Sequence, residues 1–244
     1  MYLTGDPNGA PVRFPTPLAD MTTGHFALSS ILAALYARER TGIGQLIDLG
    51  LLESQMTWLQ NYAAEYFATD EDPPRRGNNH PQVVPYEPMQ TADGMWLILG
   101  LASDNVWRKF CTASGDETLL ALRDDARFAT NGARVVNRNE LLPHVRAVMR
   151  RRTAEDWLSL WRREGIPGGP IRTTAEALAD PQVAARGGIV SIPHPDLGSV
   201  RSLASPFHFS ATPVQMNRLH PPRHGEQGDA VLASVGYTKE QIEE

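Results

Sequence analysis

Apolar residues near the start of the chain recur at the spacing of an amphipathic helix. Four of them occupy positions i, i+3, i+4 and i+7, which predicts a helix over residues 21–40 with one buried face. Gly42 is the predicted C-terminal stop, because glycine readily adopts the left-handed conformation that ends many helices. The four apolar positions are Leu28, Ile31, Leu32 and Leu35.

Two more elements are predicted before the first clear break in the chain. The apolar run over residues 45–49 predicts a short strand. Residues 51–67 predict a second helix that is aromatic along one side, and packing is the simplest role for that side. A charged, proline-containing linker over residues 70–77 then indicates the start of a new unit.

The middle of the chain combines one hairpin with several helices. Residues 89–99 predict two strands around an Asp93-Gly94 turn. Thr153 is the predicted N-cap of a later helix, and Asp156 completes an approximate capping box. A glycine- and proline-rich turn over residues 165–170 is predicted to close the unit. The predicted helices cover residues 104–114, 140–151 and 154–164.

The last third of the chain again predicts short elements. A hairpin is expected between two helical segments, and no repeat or low-complexity tract interrupts the pattern. The predicted elements are a helix over residues 174–178, strands over 189–192 and 198–203, and helices over 229–235 and 239–244.

Composition excludes several classes of protein. The 244 residues suffice for one large domain or two small ones, and a net charge of −5 argues against a nucleic-acid or anionic-membrane surface. No run of 18 apolar residues is present, so no transmembrane helix is predicted. The single cysteine, Cys111, lies in a predicted helix, and we interpret it as a small core residue of a protein from the reducing cytoplasm.

Asp20 is the main candidate for chemistry. It stands at the start of the first predicted helix, where free backbone N–H groups and a partial positive charge hold a carboxylate ionised, as a carboxylate nucleophile requires. The local sequence also fits the plainer role of a helix N-cap. Glycine-rich nucleotide-binding loops, metal-ligand spacings and the GxSxG motif are absent from the sequence, so no metal site is predicted.

Several short motifs connect Asp20 to the rest of the chain. They are DMTTG at residues 20–24, RTGIGQ at 40–45, RGN at 76–78, TADG at 91–94, RVVNR at 134–138, GIP at 165–167 and DPQV at 180–183. Their order and spacing resemble the class III CoA-transferases, the CaiB/BaiF group. This group includes formyl-CoA and carnitine CoA-transferases and alpha-methylacyl-CoA racemase, and the resemblance covers nearly the whole chain.

The resemblance implies an α/β class III CoA-transferase fold with a Rossmann-like large domain and a smaller α+β domain. The chain would be the C-terminal portion, with an incomplete large domain and without the N-terminal CoA-binding segment. Residues 1–75 would carry the catalytic aspartate and a linker helix, residues 76–185 the small domain, and residues 186–244 a return to the large domain. Family members form interlocked dimers, so a second copy or a chain carrying the N-terminal half is the expected partner.

The resemblance also implies a reaction. The carboxylate of Asp20 would attack an acyl-CoA thioester, and the resulting anhydride would become an aspartyl-CoA thioester from which a carboxylic acid takes CoA. CoA is then a substrate and no cofactor is bound permanently. The loop over residues 77–82 lacks the glycine run of formyl-CoA transferase, which argues against formyl-CoA or oxalate. The residues expected to contact CoA or its acyl group are Arg76, Gly77, Asn78, Asn79, His80 and Tyr86.

Plainer roles and other functions stay open. Arg76 is compatible with a solvated charge, residues 79–80 with a solvated loop, and Tyr86 with packing at a strand edge. A racemase of 2-methylacyl-CoA esters would use Asp20 as an acid or base with a histidine partner. A non-catalytic remnant or subunit would instead expose apolar surface and associate with a partner.

Overall fold

The computed structural model describes residues 1–215 and 220–243. These divide into two compact units, Met1–Ile171 and Arg172–Glu244. This division does not test the domain boundaries expected near residues 75 and 185, which stay predictions. Within the described ranges, none of the helices combines the length and apolar character that a membrane crossing needs.

The first unit begins with an irregular segment and a long helix, α1 (Leu18–Thr41). The helix starts three residues earlier than predicted, directly after Pro17, whose φ of −73° suits a residue that leads into a helix. It ends where predicted, at Gly42, which has φ 73° and donates its N–H to the carbonyl of Arg38.

The expectation of a buried face on α1 is wrong. Residues 51–56 contact the helix, yet none of its residues is buried. The four residues of that side have these exposed fractions: Leu28 44%, Ile31 49%, Leu32 58% and Leu35 40%. The spacing therefore predicts the helix and its apolar side but not a partner for that side.

Residues 45–69 differ from the prediction in two ways. The strand expected over residues 45–49 does not form, because it finds no neighbouring strand among the described residues, and Leu46 is 94% exposed. The helix expected over residues 51–67 is interrupted at Gln60, where φ is 17° and ψ is −95°. The observed elements are α2 (Leu51–Met56), a 3₁₀ turn (Thr57–Leu59) and α3 (Gln60–Thr69).

A three-stranded antiparallel sheet follows. Its strands β1 (Tyr86–Gln90) and β2 (Trp96–Gly100) form the predicted hairpin around Asp93-Gly94, with Gly94 at φ 76°. The third strand, β3 (Gly168–Pro170), lies where a turn was predicted, and it pairs with β2 through Ile98 and Gly169. Burial alternates along β1 and β2, so one face of the sheet faces the core.

Five helices complete the packed part of the first unit. Two of the three predicted helices are confirmed with their bounds, the third begins two residues early, and the two short ones were not predicted. Thr153 accepts from the N–H of Asp156 in a complete capping box, as predicted. The helices are α4 (Asp104–Ser114), α5 (Glu117–Asp124), α6 (Asn131–Val136), α7 (Arg138–Met149) and α8 (Ala154–Glu164).

The hydrophobic core lies between this sheet and these helices. Its centre is a row of three aromatic side chains. The ring centroids of Phe110 and Trp157 lie 5.9 Å apart, and those of Trp157 and Trp161 lie 6.2 Å apart. Cys111 is buried there, as expected, and burial raises the pKa of its thiol to about 12. All members of the core cluster fall within residues 84–166, so residues 18–69 contribute none.

The second unit contains only short elements. Its hairpin is confirmed, with β4 (Ile189–His194) antiparallel to β5 (Gly198–Leu203) and Gly198 at φ 71°. Both sheets of the described residues are thus antiparallel. The helices are α9 (Thr174–Leu178), α10 (Pro181–Ala185), α11 (Gly228–Ser234) and α12 (Lys239–Glu243), and α10 was not predicted.

Candidate active site

Asp20 is the third residue of α1 and is exposed. The cap position belongs to Pro17, and no side chain caps the helix, so the N-cap interpretation of Asp20 is wrong. Among the described residues, the backbone N–H groups of Ala19 and Asp20 have no hydrogen-bond acceptor. The carboxylate therefore stands in the first turn of a 24-residue helix beside unused donors, with no capping role.

A large apolar cavity lies beside the start of α1. Leu18 and Ala19 line it, together with the N-terminal segment and the aromatic side of residues 56–67. Its volume is about 1020 Å³, which is large enough for a substantial organic ligand. The aromatic side chains, interpreted above as packing, are not buried in a core but form a wall of this cavity. Trp58 also ties α1 to the 3₁₀ turn, since its indole N–H donates to Thr22 Oγ1 at 2.8 Å.

The loop that begins at Gly77 lines a second cavity, of about 670 Å³, with Asn78 and Asn79. The N–H of Asn79 donates to the carbonyl of Arg76 at 3.0 Å, closing a turn. Gly77 has φ 57°, and a Cβ atom there would lie 3.1 Å from the ring of Pro7. Both observations favour glycine at this position.

Residues of α6 and α7 hold this loop in place. Asn131 donates its side-chain amide to the carbonyl of Gln82 at 2.7 Å, and Arg138 donates to the carbonyl of Pro81 at 3.0 Å. Arg134 is fully buried and forms an ion pair of 2.9 Å with Asp104. It also donates to two backbone carbonyls, Val84 at 2.7 Å and Phe128 at 2.9 Å, so every side of the guanidinium is used. Burial lowers the pKa of Arg134, and Asp104 opposes that effect.

His80 and Tyr86 form a stacked pair at the other end of the loop. Their ring centroids lie 5.1 Å apart with an angle of 8° between the planes. The Nδ1 atom of His80 accepts from the N–H of Gln82 at 3.1 Å, which places the proton of the neutral ring on Nε2. Tyr86 is exposed, so its ring presents a flat aromatic surface together with that histidine.

Arg76 is placed differently from the other candidates. It forms an ion pair of 2.7 Å with Glu65 of α3 and lies over the ring of Tyr62 at 5.7 Å. Its second terminal nitrogen is buried and has no hydrogen-bond partner among the described residues. The neighbouring Arg75 donates to the carbonyls of Tyr2 and Gly9, so it holds the N-terminal segment.

The structure thus brings some candidates together and leaves others apart. Residues 77–79 share a cavity, and His80 stacks on Tyr86, whereas no hydrogen bond among the described residues joins Asp20 to either group. Leu3 and Thr4 line both cavities, so the two cavities are neighbours. Sequence reasoning missed the anchoring roles of Arg134 and Arg138, although both belong to the RVVNR motif.

Comparison with known proteins places these features in a family. The family model for CoA-transferase family III matches residues 1–228. The chain belongs to this family. A succinate–glutarate CoA-transferase of Agrobacterium fabrum is 37% identical over 235 residues, which are 96% of this chain and 58% of that protein. An acetyl-CoA:oxalate CoA-transferase of Acetobacter aceti is 32% identical over 95% of this chain and 57% of that protein.

Solved structures agree on the fold. A CaiB/BaiF family protein from Brucella suis is 34% identical, with a TM-score of 0.80 over 96% of this chain and 60% of that one. The expected α/β class III CoA-transferase fold is therefore confirmed for the part present. The chain spans about three fifths of the length of these relatives.

Proposed function

We propose that this chain carries the catalytic aspartate of a CoA-transferase that moves CoA from an acyl-CoA to a carboxylic acid, with Asp20 as the nucleophile. The observation that carries this proposal is the placement of Asp20. An exposed carboxylate lies in the first turn of a long helix, caps nothing and stands beside unused N–H donors, and the two residues before it, Leu18 and Ala19, line a cavity of about 1020 Å³. Family membership supports the reaction class.

The proposed reaction exchanges one activated acyl group for another. A carboxylate oxygen of Asp20 attacks the thioester carbonyl, and the C–S bond breaks to give an acyl-aspartyl anhydride and CoA thiolate. The thiolate attacks the aspartyl carbonyl, which releases the donor acid and forms an aspartyl-CoA thioester. The acceptor carboxylate then repeats both steps in reverse, which regenerates Asp20. No oxidation occurs, and no proton is lost overall.

Backbone donors have a defined part in these steps. Each attack places negative charge on a carbonyl oxygen, which hydrogen-bond donors stabilise in a site shielded from water. The N–H groups of Ala19 and Asp20 are available for this, since no acceptor among the described residues uses them. On the strength of the resemblance, we assign the groups that contact CoA or its acyl chain to Arg76, Gly77, Asn78, Asn79, His80 and Tyr86. The cavity that Gly77, Asn78 and Asn79 line together supports this assignment for those three residues.

Association with a second polypeptide belongs to the same proposal. The apolar side of α1 is exposed, and such a surface favours association. A second copy of the chain, or a chain carrying the part of the relatives that this one does not match, would cover it.

We place the protein in the reducing cytoplasm, since its single cysteine is a buried thiol.

CoA transfer from succinyl-CoA to glutarate tests the proposal directly. Asp20→Asn keeps the shape of the side chain and removes its nucleophilic charge, so activity is expected to fall by at least about a thousandfold. Asp229→Asn is the matched control, because Asp229 is an exposed aspartate in the first turn of α11. Asp229→Asn should leave activity unchanged.

Two results would count against the assignment. Normal turnover by Asp20→Asn would show that another group is the nucleophile. Exchange of the α-proton of a 2-methylacyl-CoA, without any transfer of CoA, would instead support the racemase. Sedimentation velocity tests the association: a monomer with full activity would remove the partner from the proposal.

A further inference from the structure

The cavity beside the Gly77 loop contains two arginines that the proposed reaction does not use. It has a volume of about 670 Å³ and is bounded by the N-terminal segment, the loop, β1, β2 and α7. Arg146 lines it from the last turn of α7, and Arg150 lines it from the C-cap position directly after that helix, four residues further along the chain. Amide side chains and an indole complete the wall: Asn78, Asn79, Gln90 and Trp96.

Arg146 is held in a fixed orientation by a buried carboxylate. Glu87 is 3% exposed on the core-facing side of β1, and its Oε1 accepts from Nε of Arg146 at 2.7 Å and lies 2.6 Å from a terminal nitrogen of the same guanidinium in an ion pair. The Arg146 side chain is half exposed. Its other terminal nitrogen has no partner among the described residues, so it keeps donors for a ligand.

Arg150 has no ion pair or side-chain hydrogen bond within the described ranges. Asp6 also lines the cavity, but its Oδ1 accepts from the N–H of Asn8 at 3.1 Å. The charge of Glu87 therefore balances that of Arg146, and one carboxylate oxygen of Asp6 is already engaged by the N–H of Asn8. The hydrogen-bonding capacity left over in this cavity consists mainly of guanidinium and amide donors, which suit a planar carboxylate.

We propose that Arg146 and Arg150 bind the second, non-reacting carboxylate of a dicarboxylic acid substrate. This inference rests on the proposed function, in which only one carboxylate of the acceptor reacts. The two ends of such an acid need neighbouring sites, and Leu3 and Thr4 form a wall common to this cavity and to the one that reaches Ala19. The arginines then select dicarboxylates over monocarboxylates, because a monocarboxylate leaves the remaining donors of Arg146 and the guanidinium of Arg150 unused.

Glutarate and butyrate are a suitable pair of ligands, since they differ chiefly in the second carboxylate. Ligand-observed NMR on the purified chain measures their binding without needing turnover, and transfer assays measure kcat/KM for both as acceptors. Arg150→Gln and Arg146→Gln are expected to weaken glutarate in both measurements by about tenfold to a hundredfold, the loss typical of a charge-assisted hydrogen bond. Butyrate should change by less than about twofold.

Two further variants sharpen the test. Asp6→Asn keeps the acceptor for Asn8 and removes a negative charge from the cavity, so glutarate should bind about twofold to fivefold more tightly. Arg162→Gln is the control for loss of a surface arginine, because Arg162 pairs only with exposed groups on α8. It should leave both acids unchanged.

The outcomes separate this inference from the proposed function. Equal losses for glutarate and butyrate would overturn the inference while CoA transfer stands. Binding of adenosine 3′,5′-bisphosphate in place of glutarate would assign the arginines to CoA and overturn it as well. If no acceptor supports transfer, the proposed function fails, yet selective glutarate binding that Arg150→Gln abolishes would still support the carboxylate site.

Discussion

Residues 18–69 and residues 84–171 belong to one compact unit but are stabilised in different ways. The later region buries a continuous core around three tryptophans, whereas the earlier one contains a 24-residue helix with no buried residue. Both regions carry apolar residues at helical spacing. Periodicity therefore tells where an apolar side is, and only a packing partner turns that side into a core.

The two regions also divide the proposed work. The earlier region carries the proposed nucleophile at an exposed helix start, and the later one holds the Gly77 loop through hydrogen bonds from Asn131 and Arg138. A group that must react with a large substrate has to remain accessible, and a loop that binds part of that substrate has to be positioned precisely. We therefore expect mutations in residues 18–69 to affect mainly activity and mutations in residues 84–171 to affect mainly stability.

The largest effect on stability is expected from Trp157→Ala. This residue is fully buried, stacks on Phe110 and donates its indole N–H to the carbonyl of Met149 at 2.9 Å. Its removal should lower the free energy of unfolding by about 3–5 kcal/mol in chemical denaturation. Leu32→Ala on α1 is the contrasting variant and should cost less than about 0.5 kcal/mol. Equal losses would mean that α1 is packed in solution.

Arg134→Gln is expected to cost about 3 kcal/mol, because it removes the ion pair with Asp104 and leaves two buried carbonyls without a donor. The loss should be accompanied by faster hydrogen exchange in the loop that follows Gly77, since Arg134 binds the carbonyl of Val84. Arg123→Gln is the control, because Arg123 pairs with an exposed aspartate. Unchanged exchange in the loop would contradict the anchoring role.

Thr153→Ala should have a smaller effect, about 1 kcal/mol. The hydroxyl caps α8 by accepting from the N–H of Asp156, and alanine cannot replace that bond. The measurement is again chemical denaturation, with Thr153→Ser as the variant that keeps the cap. A similar loss for serine would indicate that the methyl group, rather than the cap, matters.

The titration of the Cys111 thiol should leave the free energy of unfolding unchanged at neutral pH and lower it increasingly in alkali. Its thiol has a pKa of about 12 in the folded chain, above the ordinary value of about 8.5, so the folded state keeps a proton that the unfolded state loses. Stability is therefore complete below about pH 8.5 and falls as the pH rises toward 12. Cys111→Ala should remove this part of the pH dependence, and an unchanged profile would contradict it.

Local signals in the sequence predicted much of the packed region. The hairpin followed from its Asp93-Gly94 turn, and α8 from its capping box, because both depend on neighbouring residues. Strand β3 could not be predicted, since its glycines and proline favour a turn. Glycine is needed there because a Cβ at residue 168 would lie 2.7 Å from the ring of Trp161, a contact that only the folded structure reveals.

The candidate site divides in a similar manner. Asp20, the Gly77 loop and Tyr86 were reached through the resemblance, since each lies in or beside a short motif. The Glu87–Arg146 pair and the buried Arg134 join residues 30 to 59 positions apart, and no local pattern predicts such pairs. The spacing of apolar residues in α1 likewise does not predict that its apolar side is exposed.

Trapping of the acyl-enzyme tests the central claim most directly. The chain is incubated with succinyl-CoA, quenched with hydroxylamine and analysed by peptide mass spectrometry, since hydroxylamine converts an aspartyl thioester or anhydride into a stable hydroxamate. A hydroxamate at Asp20, and none in Asp20→Asn, is the predicted result. CoA transfer with an unmodified Asp20, or a hydroxamate on another carboxylate, would contradict the account.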